Sequence, residues 1–335
     1  MKPLFFTPGP SQLYPTFNKH LQTALAENIA SISHRGEAFH SIVSETIADL
    51  KRLLKIPKEY RLFFLASSLE SMERIIENCV YRESFHFING AFSRKFFQMA
   101  LELGKKSRKN EVQAGEGNEL LTTRISETSE VIVVTHNETS TGCMLPLAEI
   151  CALRSMYPQQ LIAVDIVSSA PYGKIDFSCL DLAFFSVQKG FGMPAGLSVL
   201  IVSPAALTKA RWLGKKNIVT GSYHRFSRLD ENMEKRETPE TPNVLYLTVL
   251  GQIVKDMLKK GRSHLQSETE KKAKMMYAYF GAHKIYSPFI KEKKFRSTTT
   301  IVIDVKGKAL ELAEKLQQKQ IYVGKGYGVF KNTHL

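Results

Sequence analysis

The sequence predicts an α/β fold, a sheet with helices packed on both faces. Three observations predict it. Short apolar runs of strand length alternate with segments of helical periodicity from residue 61 to residue 202. Several of those runs are apolar throughout, as in strands covered on both sides. The composition, 43% hydrophobic and 23% charged over 335 residues, is that of a globular chain able to bury a sizeable core without a disulfide or metal staple.

The elements follow in order. Phe6-Thr-Pro-Gly-Pro-Ser is turn-rich and reads as an N-terminal arm, taken as residues 1–15. Residues 41–54 place Ile42, Val43, Ile47, Leu50 and Leu54 at helical spacing, and Pro57 stops that helix. Residues 61–66 read as a strand. The helix after it carries Met72, Ile75, Ile76, Cys79 and Val80 on one face. Residues 85–88 are a strand, 93–103 a helix, 131–135 a buried strand and 147–157 a helix. Two strands then end in one charged residue each, Asp165 and Lys189, and residues 197–202 close the set. Residues 211–236 read as irregular. Residues 244–282 read as one long helix, 298–305 as a half-exposed strand, 308–317 as a helix and 321–323 as a strand. A large domain over 16–243 and a small α+β domain over 244–335, entered through the long helix, are expected.

Composition narrows the function classes. Lys and Arg number 46 against 32 Asp and Glu, a formal net charge of +14. The basic residues are scattered in short clusters such as 105–109 and 291–294, with no interleaved aromatics, so no nucleic-acid partner is expected. The excess positive charge would draw in anionic substrates. Cys79, Cys143, Cys151 and Cys179 form no C-x-x-C or metal spacing and read as free thiols, which fits a cytoplasmic location. No apolar run approaches signal-peptide or membrane-spanning length, so no membrane partner is expected.

Asp165 and Lys189 would lie at the same edge of the sheet. That arrangement suits a cofactor with an aldehyde to capture and a ring nitrogen to hold protonated; pyridoxal phosphate has both. Many parallel strands end in a polar residue with no chemistry attached, so the pair alone leaves both explanations open. Ser67-Ser68-Leu69-Glu70-Ser71 opens a helix directly after a strand, where free N–H groups can bind phosphate or a serine can simply cap the helix. Neither G-x-G-x-x-G nor G-x-x-x-x-G-K-[ST] occurs, which removes the main support for a dinucleotide or ATP site.

Six segments in order, Thr7-Pro-Gly-Pro, Ser33-His-Arg-Gly-Glu-Ala-Phe, His136-Asn-Glu-Thr-Ser-Thr-Gly, Asp165-Ile-Val-Ser-Ser, Gln188-Lys-Gly-Phe-Gly-Met-Pro-Ala-Gly-Leu and Thr238-Pro-Glu-Thr-Pro-Asn, resemble the class V aminotransferases. Within that class they look most like the phosphoserine-specific branch. The resemblance implies a pyridoxal-phosphate-dependent transferase of fold type I, with a mixed, mostly parallel sheet and a small C-terminal α+β domain. It implies that Lys189 is the Schiff-base lysine and proton shuttle and that Asp165 pairs with the pyridine N–H. Ser68 and Leu69 would hold the cofactor phosphate largely through backbone N–H groups, with Gln188 beside them. Phe92 would stack on the ring and Thr139 would bond its phenolic oxygen. Thr238 would reach the phosphate from a second subunit, which implies a homodimer with shared active sites. Ser168 would support Asp165, and His136 would be an ordinary loop histidine.

By the same resemblance His34 and Arg35 bind a substrate phosphate, and the substrates are an amino acid and a keto acid. O-Phosphoserine with 2-oxoglutarate is the expected pair. Alanine or serine with glyoxylate or pyruvate is the alternative, and a basic binding protein without catalysis is the alternative of another class. A local ion pair at Arg35 remains open. The family places an arginine for the substrate α-carboxylate soon after a segment matching Tyr327-Gly-Val-Phe-Lys. The sequence ends at Leu335 before such a residue, so that role is assigned to none. A desulfurase would need a cysteine well after Lys189, and the last is Cys179.

Overall fold

The computed structural model describes residues 2–335. In chain order it contains β1 (Leu4–Phe6), α1 (Phe17–Ala26), α2 (Glu37–Leu54), β2 (Arg61–Leu65), α3 (Ser68–Cys79), β3 (Glu83–Ile88), α4 (Ala91–Glu102), β4 (Lys106–Glu111) and β5 (Val131–Thr135). There follow β6 (Asn137–Glu138), β7 (Cys143–Met144), α5 (Leu147–Met156), β8 (Leu161–Asp165), β9 (Leu182–Ser186), β10 (Ser198–Val202), α6 (Pro204–Lys215) and α7 (Phe226–Glu234). The last elements are α8 (Val244–Lys260), α9 (Arg262–Ala282), β11 (Ser287–Pro288), β12 (Ile303–Asp304), α10 (Ala309–Gln318) and β13 (Ile321–Val323).

Seven strands form one sheet in the order β2-β10-β9-β8-β5-β3-β4. Only β10 runs against its neighbours. The cause is the connection. The chain passes from β9 to β10 through a loop with no helix, which returns it antiparallel, whereas parallel neighbours need a crossover. This is the mixed, mostly parallel sheet expected from the resemblance.

Strand residues alternate between two cores. Phe64, Phe85, Val134, Val164 and Phe185 face α2 and α8; Phe63, Leu65, Val133, Ala163 and Phe184 face α3, α4, α6 and α7. The first strand, β1, pairs in parallel with β13, so the two ends of the chain meet in a second small sheet.

Several local expectations are corrected. The basic run at 105–109 is largely β4, an edge strand whose charged, exposed residues discourage pairing with another chain. Residues 211–236 are not irregular: α6 extends to Lys215, and α7 buries Phe226 and Leu229. The helix over 244–282 is two helices, broken at Gly261 with φ +84°. Of residues 298–305, only Ile303–Asp304 is strand, because its partner β11 is two residues long. Cys151 and Cys179 are not free thiols. They lie 28 residues apart in sequence, the fold brings their Cα atoms to 5.1 Å, and their sulfurs are bonded. Cys79 and Cys143 are free and buried.

Candidate active site

The parallel strands all end at one edge, and the loops that leave it carry the chemistry. Asp165 is the last residue of β8 and is 3% exposed. Lys189 is three residues beyond the end of β9, in the loop to β10, rather than at a strand end. Its Nζ donates to the Pro8 carbonyl at 2.6 Å. The N-terminal segment lies against the same loop: Ser11 Oγ donates to the Lys189 carbonyl at 2.7 Å, and Tyr14 N–H to the Gly192 carbonyl at 2.7 Å.

The two groups perturb each other. Burial, helped by the charge of Glu138, pushes the Asp165 carboxyl up to about 7 against the pull of a hydrogen bond from Val167 N–H and of the Lys189 charge. Burial pushes the Lys189 amine below its ordinary value, against the attraction of Asp165 and Glu138. An amine so shifted holds its neutral, nucleophilic form closer to neutral pH. Ser168 does not support Asp165 as expected. Its hydroxyl donates to the Asn137 carbonyl and accepts from Asn137 Nδ2, at 2.8 and 2.7 Å. His136 is 1% exposed and bonds Ser169 Oγ at 2.8 Å, and burial pushes its ring down to about 4.

Two helices, α3 and α4, start at this edge, and their N-termini differ. The first turn of α4 is already occupied by the protein's own carboxylate: Glu138 accepts from the N–H groups of Phe92 and Ser93. The first turn of α3 is not. Ser67 is its N-cap, accepting from Glu70 N–H at 3.2 Å, and the geometry leaves the N–H groups of Ser68 and Leu69 without intrahelical acceptors. An anion at this edge is therefore best received at α3. The Ser68 hydroxyl is turned inward, bonded to Ser186 Oγ and, at 3.3 Å, to Ser198 Oγ. This hydroxyl cluster ties the start of α3 to β9 and β10, the strands that carry the Lys189 loop. Ser186 and Ser198 were not apparent in the sequence as site residues.

Gln188 is half-buried with an Oε1 that has no partner among the described residues; Thr135 Oγ1 and Asn137 Oδ1 also lack one. Phe92, partly buried, packs on Tyr327 with ring centroids 5.6 Å apart. Thr139 sits in the turn joining β6 and β7. Free N–H groups at α3, unsatisfied amide and hydroxyl atoms, a buried acid and a depressed amine are the donor set that pyridoxal phosphate requires, and the residues present fit it.

His34 and Arg35 lie beside the segment that carries Thr238. Arg35 Nη1 donates to Glu237 Oε2 at 2.5 Å, and Glu237 precedes Thr238 in the chain. The ion pair left open by the sequence is thus present in the single chain. Thr238 is 2% exposed, and its hydroxyl donates to the Glu240 carbonyl at 2.7 Å. His34 packs edge-on against Phe39. His224, not apparent in the sequence, links this region to α3: its Nδ1 meets Glu70 Oε1, and its Nε2 lies 2.9 Å from Glu240 Oε2. Burial opposes its charge, but the two carboxylates prevail and push it up to about 9.

The family model "Aminotransferase class-V" matches residues 4–332. The phosphoserine aminotransferase of Corynebacterium glutamicum (strain R) is 28% identical over 302 residues, covering 88% of this chain and 78% of that protein. The crystal structure of a phosphoserine aminotransferase from Cytophaga hutchinsonii superposes with a TM-score of 0.97 at 40% identity, over 99% of this chain and 92% of that one. An alanine–glyoxylate aminotransferase from Nostoc sp. superposes with a TM-score of 0.80 at 20% identity, over 100% of this chain and 89% of the other, a likeness of fold alone.

Proposed function

Because the chain belongs to the class V aminotransferase family, we propose that it moves the amino group of O-phosphoserine to 2-oxoglutarate, giving 3-phosphohydroxypyruvate and glutamate. It is a pyridoxal-phosphate-dependent transaminase. The observation that carries the choice of substrate is the likeness, along nearly the whole chain, to the solved phosphoserine aminotransferase.

Pyridoxal phosphate, when bound, supplies an electrophilic aldehyde and a cationic ring that acts as an electron sink. The rest falls to this chain's residues. Lys189 would be the amine that holds the aldehyde and the base placed to take the substrate α-proton; its depressed basicity supports both roles. Asp165 would accept the ring N–H and keep the positive charge at that nitrogen. Without the cation its carboxylate is costly at this depth, and with it the cost is offset. Phe92 would pack on the ring face, and Thr139 would bond the ring oxygen. The N–H groups of Ser68 and Leu69, with Gln188, would hold the phosphate.

His34 and Arg35 receive the substrate phosphate, for which a guanidinium fork and an imidazole are apt donors. Glu237 already holds Arg35, so the dianion must outcompete a carboxylate there. The proposal includes a homodimer in which Thr238, and with it the His34–Arg35 patch, serves the partner's site. It also includes a cytoplasmic location, although the Cys151–Cys179 bond removes the free-thiol argument for it. No helix among the described residues is long and apolar enough to cross a membrane.

The test adds single amino donors to the cofactor-loaded enzyme with no acceptor present and follows the visible band of the lysine-bound cofactor. Phosphoserine should discharge the band and alanine or serine should not. The reverse preference would move the assignment to an alanine or serine aminotransferase. A colourless protein that shifts a nucleic-acid probe would favour binding without catalysis.

A further inference from the structure

Glu138 ends β6 and is fully buried. Its carboxylate accepts five hydrogen bonds. Oε2 takes the N–H groups of Phe92 and Ser93 at 3.1 and 2.9 Å and the Ser93 hydroxyl at 3.0 Å. Oε1 takes Ser140 N–H at 3.1 Å and the Ser140 hydroxyl at 2.7 Å. The Ser140 hydroxyl in turn accepts from Ala91 N–H at 2.9 Å. The first three residues of α4 are thus tied, directly or through Ser140, to the β6–β7 turn.

A buried carboxylate costs several kcal/mol unless donors replace its water. Here the positive end of a helix and five donors replace it. The fit is close: a Cβ at Gly90 would lie 2.3 Å from Glu138 Cγ, so only glycine lets the α4 start approach this far. The bound segments carry Phe92, at the second position of α4, and Thr139, the next residue after Glu138.

We propose that Glu138 is a positioning residue for the cofactor ring, locking the loop that carries Phe92 to the loop that carries Thr139 so that the ring's face contact and oxygen contact are set together. The proposal rests on the roles given above to Phe92 and Thr139. Glu138 acts through them and touches neither substrate nor reacting atoms. Its charge also reaches Asp165 and Lys189, which a neutral replacement would reveal.

The test uses the full chain freed of cofactor and two probes: pyridoxal, which has the ring without the phosphate, and inorganic phosphate. Glu138→Gln keeps the size but turns an amide N–H toward backbone donors. Pyridoxal binding should weaken by about tenfold or more, by analogy with the loss of a group that supports a metal ligand, while inorganic phosphate, expected at α3, binds as before. Unchanged pyridoxal affinity, or equal loss of both probes, would overturn the proposal. Should that variant fail to fold, Ser140→Ala removes the Ala91 link and one Glu138 bond and is judged by the same split. If Phe92→Ala and Thr139→Val leave pyridoxal binding unchanged, the ring contacts are misassigned and the positioning claim falls with them. If those two weaken it and Glu138→Gln does not, the positioning claim falls alone.

Discussion

Replacing Asp165 by Asn should make the cofactor-free protein more stable at pH 8, and should do so only above about pH 4. Asn keeps the acceptor for Val167 N–H, held at 2.8 Å, and removes the charge. The carboxyl titrates at about 7 in the fold against an ordinary 3.8. At roughly 1.4 kcal/mol per pH unit, ionising it in place costs the folded chain about 4 kcal/mol. The sign follows from where the proton sits. Below the ordinary value both folded and unfolded chains hold it, and the residue has no effect. Between 3.8 and about 7 the unfolded chain releases the proton and the folded chain keeps it, so stability falls as pH rises. Above about 7 the loss is complete. With a melting entropy near 2.1 cal/mol/K per residue, about 4 kcal/mol corresponds to roughly 6 °C. Thermal unfolding of both cofactor-free proteins across pH 4–9 measures it. Asp165→Asn should melt higher at pH 8, lose that advantage toward pH 4, and bind the cofactor more weakly, since a protonated ring nitrogen is what offsets the buried charge. Superimposable pH profiles, or tighter cofactor binding by the variant, would refute the argument.

Two further outcomes are expected. Gly9→Ala would set a Cβ 2.3 Å from Lys189 Nζ at φ +146°; the chain should fold, and kcat should drop by about tenfold or more because the amine is displaced by about an ångström, as steady-state assays will show. Arg35→Ala together with His34→Ala should raise KM for phosphoserine by tenfold or more, roughly one lost charge-assisted contact, and change KM for an unphosphorylated donor little; an equal rise for both donors would remove phosphate recognition from the pair.

Much of the architecture was legible because the inner strands are covered on both sides. β5, β8, β9 and β10 bury every residue, and such runs stand out against the amphipathic helices between them. Asp165 was legible as the charged end of one. Lys189 was legible as a residue, but its strand stops earlier, at Ser186, so its place in the β9–β10 loop was not. Helix α6 was signalled by Ser203 and Pro204, an N-cap followed by a proline at the first helical position, yet the polar run after it masked that signal. β4 was hidden because a charged edge strand lacks the apolar pattern that marks inner ones. The supporting groups were least legible. Glu138 meets Ser93 45 residues away in sequence, and His224 meets Glu70 154 residues away. Such contacts exist only once the sheet has gathered its loops at one edge. The Cys151–Cys179 bond is of the same kind, since the pair's spacing says nothing about proximity.

The account turns on which lysine carries the cofactor. Borohydride treatment of the yellow holoenzyme, followed by proteolysis and mass mapping, identifies that lysine. The label should fall on Lys189 alone, and Lys189→Ala should take up none. Label on any of the other lysines, or undiminished labelling of Lys189→Ala, would contradict the account.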